Sequence, residues 1–192
     1  MNTNVNANMN AKRIFDLSLL LPLVPLFALA VAVLALLALV SHGRPLFFHQ
    51  IRLGHHRRPF RIWKLRTLTT EADPLARRPT RFGGWMRQRG LDELPQLFNV
   101  LRGDMSLVGP RPLTAADAGR LVALHAPLSH RFRVPPGLTG LAQVAGAQGA
   151  ALTAALDNEY AETRSVVGDL AILLRTFWIN LVGKRLGTKA LR

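Results

Sequence analysis

The stretch LSLLLPLVPLFALAVAVLALLALV, residues 17–40, decides the architecture of this chain. It runs for 24 residues, and Ser18 is its one weakly polar member. About 20 consecutive apolar residues are enough for a helix to span the hydrocarbon core of a bilayer. The run exceeds the apolar core of ~7–15 residues that a signal peptide carries, and no small-x-small cleavage site follows it. It therefore predicts a helix inserted in a membrane.

Two prolines, Pro22 and Pro25, lie inside this run, and each removes a backbone donor and clashes with the preceding turn. Basic residues stand at both ends of the run: Lys12 and Arg13 precede it, and four arginines follow it within residues 44–58. Basic residues prefer the cytoplasmic side. We expect a bent, re-entrant helix over residues 12–42, with a simple span as the alternative. The polar, Asn-rich residues 1–11 are predicted to be a disordered tail.

The chain is strongly basic, with a net charge of +14 from 25 Lys+Arg against 11 Asp+Glu. Such a charge attracts phosphates in nucleic acid, anionic lipid or a nucleotide, although a solvated basic surface explains it equally well. Aromatic residues make up only 7%, and no nucleic-acid motif is present, so we expect no nucleic-acid partner. The absence of cysteine excludes a disulfide framework and thiolate catalysis.

After the apolar run, two segments rich in β-branched and aromatic residues, LFFHQIRL and PFRIWKLRTL, flank GHHRR and predict a β-hairpin over residues 45–68. Residues 71–81 read as a loop, and residues 82–89 as a short helix. Residues 117–125 are predicted to be helical, and residues 135–140 to be a loop. The apolar residues 169–182 predict a helix that is either a core helix or an interfacial helix with an aromatic anchor. The fold class predicted is α+β and mostly helical.

A further helix carries the most informative acidic pair. Apolar residues at positions 94, 97, 98 and 101 have the spacing of one helix face. Because Pro95 is tolerated only in a first turn, this helix is expected to begin near residues 90–92 and to end at Gly103. Asp92 and Glu93 then fall at its N-terminus, where partial positive charge favours an ionised carboxylate. An acidic pair at this position has an ordinary explanation as well, because acidic residues stabilise the first turn of a helix.

The cations near this acidic pair favour a functional role for it. Lys64 and Arg66 lie on a predicted strand, Arg87 precedes the pair, and Arg111 lies in a rigid Gly-Pro-Arg-Pro turn. Arginine's planar fork suits phosphate oxygens, and lysine acts as a point charge. Carboxylates among cations suggest phosphoryl transfer, in which one carboxylate attacks or binds a divalent cation. A phosphate-cradling glycine loop, a dinucleotide fingerprint and HExxH are all absent from the sequence.

Several stretches together resemble the bacterial sugar transferase family, specifically its small monotopic polyprenol-phosphate phosphoglycosyl transferases. They are KRIFD at 12–16, GRPLFFHQIRLG at 43–54, PFRIWKLRTL at 59–68, and above all LDELPQLFNVLRGDMSLVGPRP at 91–112. The stretch PPGLTGLAQVAG at 135–146 matches more loosely. The resemblance implies a re-entrant helix and a small catalytic domain, residues 43–185, on the cytosolic face of the bacterial inner membrane. Residues 186–192 would be a tail.

By this resemblance, Asp92 attacks the β-phosphate of a UDP-sugar, UMP leaves, and a phosphosugar-aspartyl enzyme forms. Polyprenol phosphate (undecaprenyl phosphate) then accepts the phosphosugar in the first membrane step of polysaccharide or glycoconjugate synthesis, which is ping-pong covalent catalysis. The resemblance also implies Mg²⁺ held by Asp92 and Glu93, with phosphate bound by Lys64, Arg66, Arg87 and Arg111. The expected partners are the two substrates and the lipid bilayer. The sequence leaves open whether the chain forms a homodimer.

Three positions depart from the family pattern. Leu141 stands where the family has Trp, and Ala145 and Ala147 stand where it has Asn and Arg. These departures concern nucleotide or sugar binding more than the chemical step. One alternative is therefore a degenerate member that binds without efficient catalysis. Another alternative, from the charge, is a membrane-anchored basic binding protein.

Overall fold

The computed structural model describes residues 3–123, 128 and 130–183, with side chains described from Met9 onward. Helices dominate this part of the chain. The helices are α1 (Thr3–Leu20), α2 (Val24–His42), α3 (Arg81–Arg89), α4 (Leu97–Arg102), α5 (Ala115–Ala123), α6 (Leu141–Val144), α7 (Ala150–Thr163) and α8 (Val166–Val182). The strands are β1 (Phe47–Leu53), β2 (Pro59–Leu65), β3 (Ser106–Val108) and β4 (Gly137–Thr139). The mostly helical fold class is confirmed.

The N-terminal apolar run forms two helices, α1 and α2, joined by the 3₁₀ turn Leu21–Leu23. The break falls at Pro22, which lacks the N–H that an α-helix needs at that position. Within the described part of the chain, one segment, Met9–His42, is long and apolar enough to cross a membrane by length and composition. The prediction of a disordered tail over residues 1–11 is wrong from Thr3 onward, because these residues extend α1, and adding turns to an existing helix avoids the cost of nucleation.

The predicted hairpin is confirmed. Strands β1 and β2 pair antiparallel, with Phe47 opposite Leu65 and Leu53 opposite Pro59. This register sets Lys64 opposite Phe48, near the start of β1. The hairpin thus delivers Lys64 to the 3₁₀ segment Leu91–Gln96, against which β2 packs.

The helix predicted from residues 90–92 to Gly103 is also confirmed in its limits. Its first part is the 3₁₀ segment Leu91–Gln96, which contains Pro95, and its second part is α4. Gly90 (φ 69°) and Gly103 (φ 88°) bound it, both in the left-handed region that favours glycine. Asp92 and Glu93 lie in the first turn, as the spacing indicates.

A second sheet, β3 with β4 in parallel, was not predicted. Both strands have only three residues, and residues 135–140 read as a loop because of their prolines and glycines. The strands approach so closely that a Cβ on Gly137 would lie 2.0 Å from the backbone nitrogen of Gly109. The glycines are therefore needed for the pairing that positions the following Gly-Pro-Arg-Pro turn.

The core joins the N-terminal helices to the rest of the chain. Leu20 packs with Ile62 of β2, Val100 of α4 and Val108 of β3, and Leu34 and Ala38 of α2 form a second cluster with β2 and α3. Helix α8 buries Ile172 and Ile179, while Leu174, Phe177 and Trp178 remain exposed. The predicted helix over residues 117–125 is seen as α5, with His125 outside the described residues, as are residues 186–192.

Candidate active site

Asp92 is buried, with 6% of its surface exposed, and it lines a cavity of about 530 Å³. The cavity lies between the hairpin, α3 and the Gly-Pro-Arg-Pro turn. Its charged lining residues are Asp92, Arg52, Lys64, Arg66, Arg77, Arg87 and Arg111. All four cations predicted to bind phosphate therefore line the same cavity as Asp92, although Arg66 also has a structural task. The rest of the wall includes Phe47, Phe48 and several threonines.

Glu93 is held between two cations. Its Oε1 atom accepts a hydrogen bond from Nζ of Lys64 at 2.5 Å and lies 3.6 Å from an Nη of Arg111. The Glu93 and Lys64 side chains are 14% and 17% exposed, while Arg111 is 47% exposed. The carboxylate therefore orients Lys64 and Arg111, and Arg111 keeps a solvent-facing part with which to meet an anion.

Two further cations at the cavity escaped sequence reasoning. Arg52 of β1 lies deep enough that burial, followed by the charge of Arg111, lowers the pKa of its guanidinium. Its Nη atoms bind the backbone oxygen of Pro112 and Oε1 of Gln50. Strand periodicity places Gln50 and Arg52 on one face, so the hairpin register was a signal for Arg52. Arg77 comes from the loop before α3, for which the sequence carried no signal.

Arg66 lines the cavity and also has a structural task, while its predicted binding of phosphate stays a prediction. It is 8% exposed, and its guanidinium donates to the backbone oxygens of Pro45, Leu68, His42 and Gly43 at 2.6–2.8 Å. Four of its five N–H groups are thereby used on the end of α2 and the turn after it. The sequence could not reveal this, because which carbonyls lie within reach depends on the tertiary fold.

A buried ion pair supports Arg111 from behind. The Arg131 guanidinium donates to the backbone oxygen of Arg111 at 2.5 Å and pairs with Asp157 of α7 at 3.0 Å. Both side chains are 2% exposed. Burial raises the pKa of Asp157 to about 6, against the opposing charges of Arg131 and Arg111. The pair therefore holds the turn that presents Arg111.

A second ionic network ties α1 to the domain. Lys12 lies 2.5 Å from Asp16 and 2.9 Å from Asp169 of α8. The Ser106 hydroxyl donates to Asp16 at 2.7 Å, and the Tyr160 hydroxyl donates to Asp169 at 2.8 Å. At the far end of α2, His42 Nε2 donates to the backbone oxygen of Arg66 at 3.0 Å. Both ends of the apolar helix pair are thus bound to one folded domain.

The carboxylates of Asp92 and Glu93 are the type of ligand that a divalent cation such as Mg²⁺ prefers. No group of three or more His, Asp or Glu residues gathers as a metal site within the described ranges. Mg²⁺ does not need one, because it is held in phosphate-processing sites by one or two carboxylates, substrate phosphates and water. Asp92 lines the arginine-rich cavity and Glu93 is the next residue of the same turn, so the pair fits that pattern.

The chain is similar to known proteins of one family. The bacterial sugar transferase family model matches residues 7–183. The undecaprenyl-phosphate glucose phosphotransferase of Komagataeibacter xylinus is 41% identical over 192 residues, covering 88% of this chain and 35% of that protein. The UDP-glucose:undecaprenyl-phosphate glucose-1-phosphate transferase of Caulobacter vibrioides is 41% identical over 180 residues, covering 86% of this chain and 67% of that protein.

A third relative, the uncharacterized sugar transferase EpsL of Bacillus subtilis, is 40% identical over 175 residues. That match covers 86% of this chain and 84% of EpsL. The chain therefore spans about a third of the Komagataeibacter protein, two thirds of the Caulobacter protein and most of EpsL. The family model covers the apolar helices and the candidate site together, and the chain belongs to the bacterial sugar transferase family.

Proposed function

We propose that this chain transfers a sugar-1-phosphate from a UDP-sugar to undecaprenyl phosphate, with Asp92 as the nucleophile. The carrying observation is that Asp92, Lys64, Arg87 and Arg111 line one cavity at a helix start, although they come from four separate parts of the sequence. The names of the Komagataeibacter and Caulobacter relatives, which describe undecaprenyl-phosphate glucose-phosphate transfer, support the reaction class.

In the first step, a carboxylate oxygen of Asp92 bonds to the β-phosphorus of the UDP-sugar. The bond between that phosphorus and the oxygen bridging to the α-phosphate breaks, and UMP departs with the electron pair. Charge on the transferring phosphoryl oxygens grows at this moment, and Lys64, Arg87 and Arg111, which line the cavity, stabilise it. In the second step, a phosphate oxygen of undecaprenyl phosphate attacks the same phosphorus and releases the Asp92 carboxylate.

Glu93 acts here by holding the cations. Its ion pairs with Lys64 and Arg111 fix two positive groups beside Asp92, so they do not need to reorganise when the substrate arrives. Asp92 and Glu93 would hold Mg²⁺ together with the diphosphate oxygens. When bound, the ion supplies further charge neutralisation on the diphosphate.

The apolar helix pair supports a membrane location for this chemistry. A straight helix from Asp16 to His42 would extend about 39 Å, more than the ~30 Å hydrocarbon core. Both of these residues bind the same domain, Asp16 through Ser106 and His42 through Arg66. We infer from this, and from the break at Pro22, that the pair enters and leaves the membrane by one face. The catalytic domain then lies on the cytosolic side, with the exposed apolar face of α8 against the lipid.

The test uses the purified full chain in lipid nanodiscs with Mg²⁺, undecaprenyl phosphate and a panel of UDP-sugars. UMP release is the measured product, and mass spectrometry after omission of undecaprenyl phosphate detects a phosphosugar on the peptide containing Asp92. One UDP-sugar is expected to support turnover, and Asp92→Asn is expected to abolish both UMP release and the adduct.

Asp104→Asn is the matched control, because the substitution is the same and Asp104 lies on the turn after α4, where it pairs with exposed Arg102. That variant should keep wild-type turnover. Full activity in Asp92→Asn would refute the nucleophile. A chain that binds UDP-sugars yet releases no UMP with any of them would instead favour the degenerate member that binds without catalysis.

A further inference from the structure

A second cavity, of about 330 Å³, lies between the 3₁₀ segment Leu91–Gln96 and helix α8. Glu93 lines it, and Arg111 lines both this cavity and the one that holds Asp92. Most of its wall is apolar. The apolar residues are Leu94, Leu107, Leu138, Val144, Leu173 and Ile179. The two cavities therefore share Arg111 of the candidate active site.

Two side-chain amides in this second cavity have unused hydrogen-bonding capacity. The Oε1 atom of Gln143 is buried and has no hydrogen-bond partner among the described residues, while its Nε2 makes one long contact, 3.3 Å, to the backbone oxygen of Leu138. Asn180 of α8 makes no side-chain hydrogen bond within the described part of the chain. A buried acceptor without a partner costs stability, so such a group is kept where something else gains from it.

Asn180 lies directly beside the nucleophile's own turn. A Cβ added to Gly90 would lie 3.1 Å from Oδ1 and 3.2 Å from Nδ2 of Asn180, so the amide covers the residue two positions before Asp92. Gln143 comes from α6, which follows the parallel pair of β3 and β4. The cavity is thus framed by polar groups from α6 and α8, with the Asp92 turn at its edge.

The chemistry of the lining distinguishes between the parts of the substrate. A hexose carries hydroxyl groups around its whole ring and would leave most of them unpaired against leucine and isoleucine. A pyrimidine base presents two apolar faces and one polar edge. The edge of uracil places an acceptor, O4, beside a donor, N3–H, and a side-chain amide offers the complementary donor and acceptor.

We propose that this cavity binds the uracil base of the nucleotide, with Gln143 and Asn180 as the residues that select it. The inference rests on the proposed function and adds the location of the base. The ribose and phosphates then extend past Arg111 towards Asp92. Cytosine reverses both polar positions of the uracil edge, so the same amides in the same orientation would reject it.

The test measures equilibrium binding of UMP and CMP by calorimetry on the full chain in nanodiscs. Wild type should bind UMP at least about tenfold more tightly than CMP, which is the discrimination expected for one mismatched hydrogen-bonded edge. Gln143→Met and Asn180→Leu keep the side-chain volume and remove the amide, and each should bring the two dissociation constants to within about threefold. Gln143→Glu, which keeps an acceptor and removes the donor, should move the preference towards CMP.

Gln148→Met is the matched control, because Gln148 is exposed in the turn before α7 and the substitution is the same. It should leave the preference for UMP unchanged. Thermal unfolding of each variant shows whether the protein is folded. If an apolar replacement unfolds the chain, the ratio of UMP to CMP affinity is measured on Gln143→Glu, the variant closest in size.

Either of two binding results would overturn the inference: no preference for UMP in wild type, or a full preference in all three cavity variants. A change in which UDP-sugar is used, with the base preference intact, would also overturn it, by assigning the cavity to the hexose. Failure of the proposed function is a separate outcome, because it is measured by UMP release from UDP-sugars and not by the ratio of UMP to CMP affinity.

Discussion

Two of the ionic clusters in the described part of the chain are of opposite construction. The anchor cluster, made of Lys12, Asp16, Ser106, Tyr160 and Asp169, has one cation between two carboxylates that are 3% and 2% exposed. The site cluster, made of Lys64, Glu93 and Arg111, has one carboxylate between two cations, with Arg111 47% exposed.

The difference lies in how the surplus charge is satisfied. In the anchor cluster, hydroxyl groups supply the missing donors, and burial with the adjacent Asp169 charge raises the pKa of Tyr160 so that it stays a donor. In the site cluster the surplus is positive and faces a cavity lined by further arginines. A closed cluster stabilises the fold, whereas an open cationic one stabilises an incoming anion.

The largest effect is expected from breaking the anchor cluster. Lys12→Met leaves Asp16 and Asp169 buried near each other without a cation, which should cost about 3–5 kcal/mol of folding free energy. Thermal unfolding in nanodiscs should show a Tm lower by roughly 10 °C. Arg102→Met, which breaks the exposed pair with Asp104 (3.6 Å), should cost less than about 1 kcal/mol. Equal Tm losses in the two variants would contradict the comparison.

Breaking the site cluster should change catalysis and leave stability nearly intact. Lys64→Met removes one stabiliser of the phosphoryl charge, so kcat/KM for the UDP-sugar should fall about 10²-fold. Glu93 keeps Arg111 as a partner, and the Tm should therefore change little. Arg61→Met is the control on the same strand, because Arg61 is exposed and lies over the ring of Trp63. A large Tm loss with normal kcat/KM in Lys64→Met would reverse the assignment.

A ligand should sharpen the contrast by stabilising only the open cluster. UMP at ten times its Kd should add about 1.4 kcal/mol to folding stability. Arg111→Met should reduce this gain in Tm, since Arg111 lines both cavities, while Asp169→Asn should retain it despite a lower starting Tm. The measurement compares the Tm of each variant with and without UMP. Loss of the UMP-induced gain in Tm in Asp169→Asn would contradict the separation of the clusters.

The smallest effect concerns the balanced pair Arg131–Asp157 behind Arg111. Because burial raises the pKa of Asp157 to about 6, the folded chain binds this proton more tightly than the unfolded chain does. Its contribution to stability is therefore present at low pH and is lost as the pH rises through 6, by about 1 kcal/mol between pH 5 and pH 7. Asp157→Asn should remove this component from the Tm difference between pH 5 and pH 7. An unchanged difference would contradict the assignment.

Local sequence patterns predicted much of the candidate site. Pro95 and Gly103 limited one helix, and that helix put Asp92 and Glu93 in its first turn, where the structure has them. The alternation of β-branched and aromatic residues predicted the hairpin that presents Lys64. These features are local, since they depend on residues within a few positions of each other, and a sequence displays such spacing directly.

Long-range contacts decided the remainder. Arg66 and Arg87 both line the cavity, yet only the fold directs the guanidinium of Arg66 to four backbone carbonyl oxygens. The β3–β4 pair joins segments about 30 positions apart through strands too short to have a period.

The sequence by itself determined that this chain has an apolar helix bent in its proline-containing part, a hairpin, and a carboxylate pair at a helix start, because composition and spacing control local structure. The tertiary structure alone decided which charged groups are used within the fold and which face a cavity. The physical reason is that a charge is satisfied by whatever the folded chain brings within a few ångströms, and for Lys12 that includes Asp169, more than 150 positions away.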